Sequence, residues 1–265
     1  MENIVEVIDE GHVRYIRLNR PEKKNAVNEA LAWGVLDAIA DAQANDEVWA
    51  IGLTGKGDSF CAGLDLSGRG DSASSMGPVT DRLDDIGWVG RFLLQLRQDC
   101  DRPIVGGING VAVGAGLGLA MATDIRIAAR SARFMAGYTR IGGSPDGGLT
   151  FTLPQAIGYE QAMRFMLENR TVSGEEVVSL GLAGEVVDDD KFEARFKEYC
   201  ELVASWSPFS ARLTKRGMAK ASTPIDLRGQ VIWERANVLT AFQTEDGKEA
   251  RKAFFEKRKP EFKGR

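Results

Sequence analysis

The chain has 265 residues, 43% hydrophobic and 27% charged, and its 38 acidic against 34 basic side chains leave a formal net charge of −4. That length and mixture exclude a disulfide-stapled module, a fibrous chain and a disordered one, and the acidic balance gives no global attraction for nucleic acid. Apolar runs such as 51–53 and 111–122 are short or broken by glycine and fall below the roughly 18 residues of a membrane span, so neither nucleic acid nor membrane is expected as a partner.

The opening MENIVEVID reads as a strand and not as a leader, which sets the expectation of a cytoplasmic protein. NIVEVIDEGHVRYIRLNRP alternates around Asp9-Glu10-Gly11 and predicts a β-hairpin, with His12 an ordinary strand residue beside the turn. Asn28 caps a predicted helix to about Ala44 whose apolar face is Leu31, Val35, Leu36 and Ile39, and VWAIGLTG follows as a buried strand ending at Gly55. Two strands, a helix and a further strand predict a repeating ββα layout. Residues 55–80 form a glycine-rich loop, and a helix over about 82–99 leads through Asp101-Arg102-Pro103 into a second buried strand, PIVGGIN. NGVAVGAGLGLAMATD turns sharply into another helix, and DIRIAARSARFMAG gives two short strands. Beyond Gly147 the pattern turns helical, over about 148–157, 160–168, 190–205, 224–242 and 246–257, with AGEVVD the one strand.

Cys61, Cys100 and Cys200 have no CxxC spacing and His12 is the single histidine, so no zinc site follows and the thiols are read as reduced and structural. From 248 to 265 the basic residues Lys248, Arg251, Lys252, Lys257, Arg258, Lys259, Lys263 and Arg265 outnumber Glu249, Glu256 and Glu261, which is either a solvated helix face or a docking site for a phosphorylated ligand. Glycine turns follow two buried strands, at CAGLDL (61–66) and VGAGLG (113–118). Backbone N–H groups at such turns can converge on one anionic oxygen, because the first amides of a helix have no partner within it. The same glycines also permit tight helix-to-sheet packing. GAGLG lacks the full GxGxxG spacing and a following acidic residue, so a dinucleotide site is disfavoured.

FCAGLDL, then PIVGGINGVAVGAGLGLAMATDIRIAARSARF, and a closing AFFEKRKPEF, with the opening RLNRPEKKNAVN, resemble in order and spacing the enoyl-CoA hydratase/isomerase (crotonase) superfamily across essentially the whole chain. The resemblance implies an α/β fold, the crotonase-like (ClpP/crotonase) superhelix of ββα units. Residues 1–200 would form the core with the coenzyme A and catalytic sites, and 201–265 a helical region that assembles a homotrimer or hexamer. The implied ligand is an acyl-CoA thioester, with coenzyme A entering as part of the substrate and no permanently bound cofactor or metal. Carried over by position, the oxyanion donors are the backbone N–H groups of Leu64 and Ala115. The substrate-contacting stretch is Ala62, Gly63, Asp65 and Leu66 with Gly114 and Tyr138. The Asp65 carboxylate is expected to order its loop, and neither it nor Asp124 is assigned catalysis. Lys23, Lys24 and Ala26 resemble the adenine-contacting segment, and Phe254 and Lys257 match positions that reach the nucleotide, commonly from a neighbouring subunit.

Hydratases of the superfamily use two glutamates, and the matching positions here are Gly118 and Tyr138. The carboxylate left in register is Asp146, at the position where some isomerases and the aromatic-CoA dehalogenases carry an essential aspartate. Arg91 occupies the position of the histidine that those dehalogenases need. The stretch 114–154 looks most like the ring-epoxide and enoyl isomerases of phenylacetyl-CoA degradation, so a CoA-thioester isomerase with Asp146 as its base is the first reading. A hydratase using Asp146 with another residue is the second, and a hydrolase or dehalogenase with Asp146 as nucleophile the third. A CoA- or RNA-binding scaffold without chemistry is the alternative from another class, and the acidic charge and the Asp146 register count against it. An apolar acyl pocket of Phe60, Leu66, Trp88, Phe92, Tyr138 and Phe151 is expected, in which burial would raise the Asp146 pKa. Leu227, Val231, Ile232, Val238, Phe254 and Phe255 are the positions expected to pack between protomers.

Overall fold

The computed structural model describes residues 3–67, 84–206 and 208–221, and thereafter 228, 229, 231, 232, 235, 239, 242, 243 and 245–258. The predicted hairpin is present as β1 (Val5–Glu10) and β2 (Val13–Leu18), antiparallel from Val5↔Leu18 to Glu10↔Val13. His12 sits in the connecting turn and not in a strand, with Nδ1 2.9 Å from the Glu47 carbonyl oxygen and its ring stacked on Trp49. Helix α1 (Glu29–Ala44) begins where the Asn28 side chain accepts from the Leu31 amide, and it buries the predicted face of Leu31, Val35, Leu36 and Ile39.

Three ββα repeats then follow one another. β3 (Ala50–Gly55) and β4 (Ser59–Cys61) precede α2 (Gly87–Leu94), and β5 (Ile104–Ile108) and β6 (Val111–Val113) precede α3 (Ala115–Ala122). β7 (Ile125–Ala129) and β8 (Arg133–Met135) precede α4 (Leu149–Ile157). The first strand of each repeat joins one sheet and the second joins another. With α5 (Tyr159–Glu168), β9 (Val172–Ser173), α6 (Glu175–Leu180) and β10 (Glu185–Val187), the sheets run β1-β2-β3-β5-β7-β10 and β4-β6-β8-β9. Pairing is parallel within the stacked repeats, β3 to β5 to β7 and β4 to β6 to β8.

The helix predicted over 82–99 is shorter. α2 ends at Leu94 and opens into a π turn over Gln95–Asp99, closed by the Cys100 amide donating to the Gln95 carbonyl at 2.9 Å, and positions 82 and 83 lie outside the described residues. α7 (Phe192–Ala204) runs past residue 200 and covers the large sheet, with Phe196 against Gly52 and Gly107; a Cβ at either glycine would come within 3.0 Å of its ring. α8 (Pro208–Ala221), which no periodicity announced, is fastened by charge. Asp101 pairs with Arg212 and Arg216, and Lys215 donates to the Arg102 carbonyl and pairs with Asp124, both at 2.8 Å. α9 (Glu245–Phe255) closes the chain. Of the positions expected to pack between protomers, Leu227 and Val238 lie outside the described residues, Val231 is buried within its own chain, and Phe254 and Phe255 remain 41% and 60% exposed. Among the described residues no helix is long and apolar enough to cross a membrane.

One buried side chain ties the hairpin exit to β4. The Asn25 carboxamide donates to the carbonyls of Lys56 and Ser59 and accepts from the Arg20 amide, at 3.0, 2.7 and 2.8 Å, while Asn25 itself is held at φ 54°. Asn25→Ala leaves those buried groups unpaired, so the unfolding free energy should fall by about 2–4 kcal/mol in urea titrations.

Candidate active site

Because β4 and β6 are parallel neighbours, the turns that follow them leave the same end of the small sheet side by side. After β4 the chain passes Ala62 and Gly63 into a bridge between Leu64 and Val27. The bridge is made by the Val27 amide to the Gly63 carbonyl (2.7 Å) and the Asp65 amide to the Val27 carbonyl (2.8 Å). Leu64 therefore turns its own N–H the other way. After β6, Gly114 leads into α3, whose first residue, Ala115, presents an amide with no intrahelical acceptor. Neither the Leu64 nor the Ala115 amide donates to a backbone acceptor among the described residues. Close approach requires glycine at two places: a Cβ at Gly63, φ 96°, would stand 2.8 Å from the Val113 carbonyl oxygen, and one at Gly116 would stand 2.3 Å from that of Cys61. The two amides are thus brought into one small region, with Ala115 N only 3.9 Å from the would-be Gly63 Cβ.

Asp146 reaches the same region from the third repeat. Past β8, a single 3-10 turn (Thr139–Ile141) folds the chain back, with the Ile141 and Gly143 amides both donating to the Tyr138 carbonyl. Tyr138 and Asp146, eight positions apart, meet in a buried hydrogen bond, the phenol donating to Asp146 Oδ1 at 2.8 Å. Each is 6% exposed. No spacing rule announced this bond, since it depends on the fold-back. The loop carrying Asp146 rests on α3 at Gly118, where an added Cβ would touch the Gly147 Cα and carbonyl oxygen at 3.5 Å. That is ordinary contact distance, so the loop packs directly on the helix there.

A cavity of about 330 Å³ is lined by Ala62, Gly63, Leu64, Leu66, Gly114, Ala115, Tyr138 and Asp146, and also by Arg140 and Phe254. Phe254 comes from α9 of the same chain, with the Arg140 guanidinium 5.8 Å from its ring centroid. A second cavity of about 230 Å³ shares Leu64, Asp146 and Phe242 with the first and is walled by Trp33, Ile86, Trp88 and Val231, with Glu29, Asp84 and Arg235 also facing it. Leu66, Trp88 and Tyr138 line these cavities as expected. Phe60 and Phe92 do not: both are core residues, and Phe151 packs against the core. Arg91 pairs with Asp84 at 3.0 Å and lies over the Trp33 ring, walling the second cavity from behind.

The segment Lys23, Lys24, Ala26 runs beside the site, joined to it by the Ala62 amide donating to the Lys24 carbonyl at 3.0 Å, but these residues and Lys257 stand outside both cavities. Asp65 also lies outside. Its carboxylate is held by the Ser67 hydroxyl and amide and by Arg20, at 2.5, 3.0 and 2.8 Å, and Arg20 also donates to the Ala26 carbonyl. The Ser67 hydroxyl above all, with Arg20 acting against the burial, brings Asp65 down to about 2.

The enoyl-CoA hydratase/isomerase family model matches residues 9–265, and the chain belongs to that family. It is 33% identical to the 1,2-epoxyphenylacetyl-CoA isomerase of Escherichia coli (strain K12) over 100% of both chains. It is 38% identical to a probable enoyl-CoA hydratase of Rhodobacter capsulatus over 97% of this chain and 96% of that one. The crystal structure of an enoyl-CoA hydratase/isomerase from Pseudoalteromonas atlantica T6c superposes with a TM-score of 0.87 at 32% identity, covering 98% of this chain and 100% of the other.

Asp65 supplies a pH test of the loop that carries Leu64. A carboxyl lowered to about 2 from 3.8 stabilises the fold above its ordinary value and loses that contribution as pH falls toward 2. Asp65→Asn should lower the urea midpoint at neutral pH, and the gap from wild type should close between about pH 4 and pH 2.

Proposed function

We propose that this member of the family is a CoA-thioester isomerase in which Asp146 is the single proton-transfer group and the N–H groups of Leu64 and Ala115 hold the thioester oxygen. The observation that carries the reading is the buried Tyr138–Asp146 hydrogen bond in the cavity that both donor turns line, with glycine at 118. Asp146 takes a proton from the α-carbon as the C–H electron pair moves through the carbonyl carbon onto the thioester oxygen. The two amides stabilise that developing enolate. The same carboxyl, now protonated, gives its proton to the γ-carbon, and the double bond shifts with no change of mass. Tyr138, donating to Oδ1, holds the base in place.

In this reading the larger cavity takes the thioester and pantetheine arm. Lys23, Lys24, Ala26 and Lys257 lie near the nucleotide, and Phe254 closes the mouth. The smaller cavity takes the acyl group, and Trp33, Trp88 and Phe242 favour a compact ring of the kind named for the Escherichia coli relative. Copies of the chain would assemble through 201–265 into a trimer or a pair of trimers in the cytoplasm. Hydration is the second reading. It draws support from Glu29 and Asp84, which face the adjoining cavity and offer a second carboxylate for holding water. Dehalogenation has less support, because Arg91 is engaged with Asp84 and Trp33 where an imidazole would be needed.

Incubating pure protein with 3-enoyl, 2-enoyl and epoxidised arylacetyl CoA thioesters separates these outcomes by mass, since isomerisation conserves mass and hydration adds water. Asp146→Asn should lower isomerisation by about a hundredfold or more while acyl-CoA still binds. Tyr138→Phe should lower kcat roughly ten- to a hundredfold, the loss of one hydrogen bond to a charged group. Gain of water as the main reaction, or Asp146→Asn turning over within a few-fold of wild type, would overturn the reading.

A further inference from the structure

Helix α3 is asymmetric in how its ends are satisfied. All eight of its residues are buried, it carries no charged side chain, and no side chain caps its N-terminus at Gly114. Its C-terminal end is instead densely held. The Thr123 hydroxyl and amide both donate to the Ala120 carbonyl. Arg97 spreads its guanidinium over the carbonyls of Ala122, Met121 and Thr123, at 2.9, 3.1 and 3.3 Å. Arg126 adds a bond to the Thr123 carbonyl at 2.9 Å and one to Leu182 at 2.7 Å. Arg97 projects from the π turn that ends α2, a local widening of the helix that has no other evident use. Burial and the like charge of Arg97 draw Arg126 down to about 10, which leaves it protonated at neutral pH. Asp124, which follows Thr123, is paired with Lys215.

Two guanidinium charges therefore sit at the negative end of a buried helix whose positive end is the Ala115 amide. The helix is about 12 Å long and all of its residues are buried. Cations at a helix C-terminus match its dipole, and at that distance a unit charge acting through an effective dielectric near 20 still changes a charge equilibrium by about five- to tenfold. We propose that Arg97, with Arg126 beside it, is a positioning residue for the oxyanion hole: it anchors α3 so that the Ala115 N–H stays aimed at the thioester oxygen, and its charge favours the enolate over the neutral thioester. This rests on the oxyanion assignment made above, but not on the role of Asp146.

The test reads enolate formation directly. A 3-ketoacyl-CoA, whose enolate has its own ultraviolet band, is bound to protein carrying Asp146→Asn, so that Asp146 does not titrate. The other charged groups facing the two cavities, Arg140, Glu29, Asp84 and Arg235, are left unchanged. The pH midpoint of the bound enolate should lie below that of the free thioester. Adding Arg97→Gln should raise it by about 0.7 to 1 unit while the affinity for a saturated acyl-CoA stays within twofold. In the otherwise wild-type enzyme Arg97→Gln should lower kcat about five- to tenfold with KM little changed, and Arg97→Lys, which keeps the charge, should recover most of it. Should Arg97→Gln not fold, Arg126→Gln takes its place with the same expected shift. If the bound midpoint matches the free thioester even with Arg97 present, the oxyanion assignment fails. If it is lowered but unmoved by the glutamine variant, or if lysine is as damaging as glutamine, the role of Arg97 fails alone.

Discussion

The parallel pairing of β4 with β6 is the constraint on which the rest of the site depends. Each ββα repeat sends its second strand into the small sheet, so equivalent turns of successive repeats emerge at one end about a strand spacing apart. Two N–H groups that no helix or sheet consumes are then neighbours without any side chain being spent on them. Gly63 and Gly116 are needed because backbone must approach backbone, and a methyl group at either would push the turns apart. The third repeat completes the arrangement, since the loop after β8 brings Asp146 onto α3 at Gly118.

Much of this was legible in the amino-acid order, and for local reasons. The hairpin, α1 with its Asn28 cap and the buried strands of the large sheet announce themselves through alternation, capping and apolar runs, and the glycine turns carry the family pattern. β4, β6 and β9, two or three residues each beside glycine-rich turns, were not singled out in the sequence. α8 was missed because its docking face is Arg212, Lys215 and Arg216 against Asp101, Arg102 and Asp124, which a search for an apolar stripe passes over. Phe60 and Phe92 were expected in the acyl pocket because aromatic content cannot separate a lining from a core.

The Tyr138–Asp146 bond belongs to a different class of illegibility. In the sequence, the family resemblance makes position 138 a place where hydratases carry a glutamate and 146 a place where some isomerases carry an aspartate, two separate expectations. Folded, they are one unit, because the turn over Thr139–Ile141 returns the chain on itself and a phenol reaches a carboxylate where a second carboxylate would have repelled it. Tyrosine at 138 thus gives Asp146 a donor where a carboxylate would have given it a like charge.

That exchange bears on the difference between adding water and moving a proton. Two carboxylates facing one water can orient it and divide the tasks of base and acid, whereas one carboxylate held by a phenol has a single proton to take and return. In the proposed chemistry the proton leaves and re-enters on the same face of one extended thioester, so a second group is unnecessary. Glu29 and Asp84 are the carboxylates that would have to move toward Asp146 for water to be held between two acids. Asp84 is drawn the other way: burial disfavours its charge, yet the Ile86 and Gly87 amides and Arg91 outweigh that and keep it below the usual carboxylate range, bound to its own helix start. A carboxylate so firmly tied is a poor water base, so in the proposed chemistry Asp84 does not share the proton transfer with Asp146.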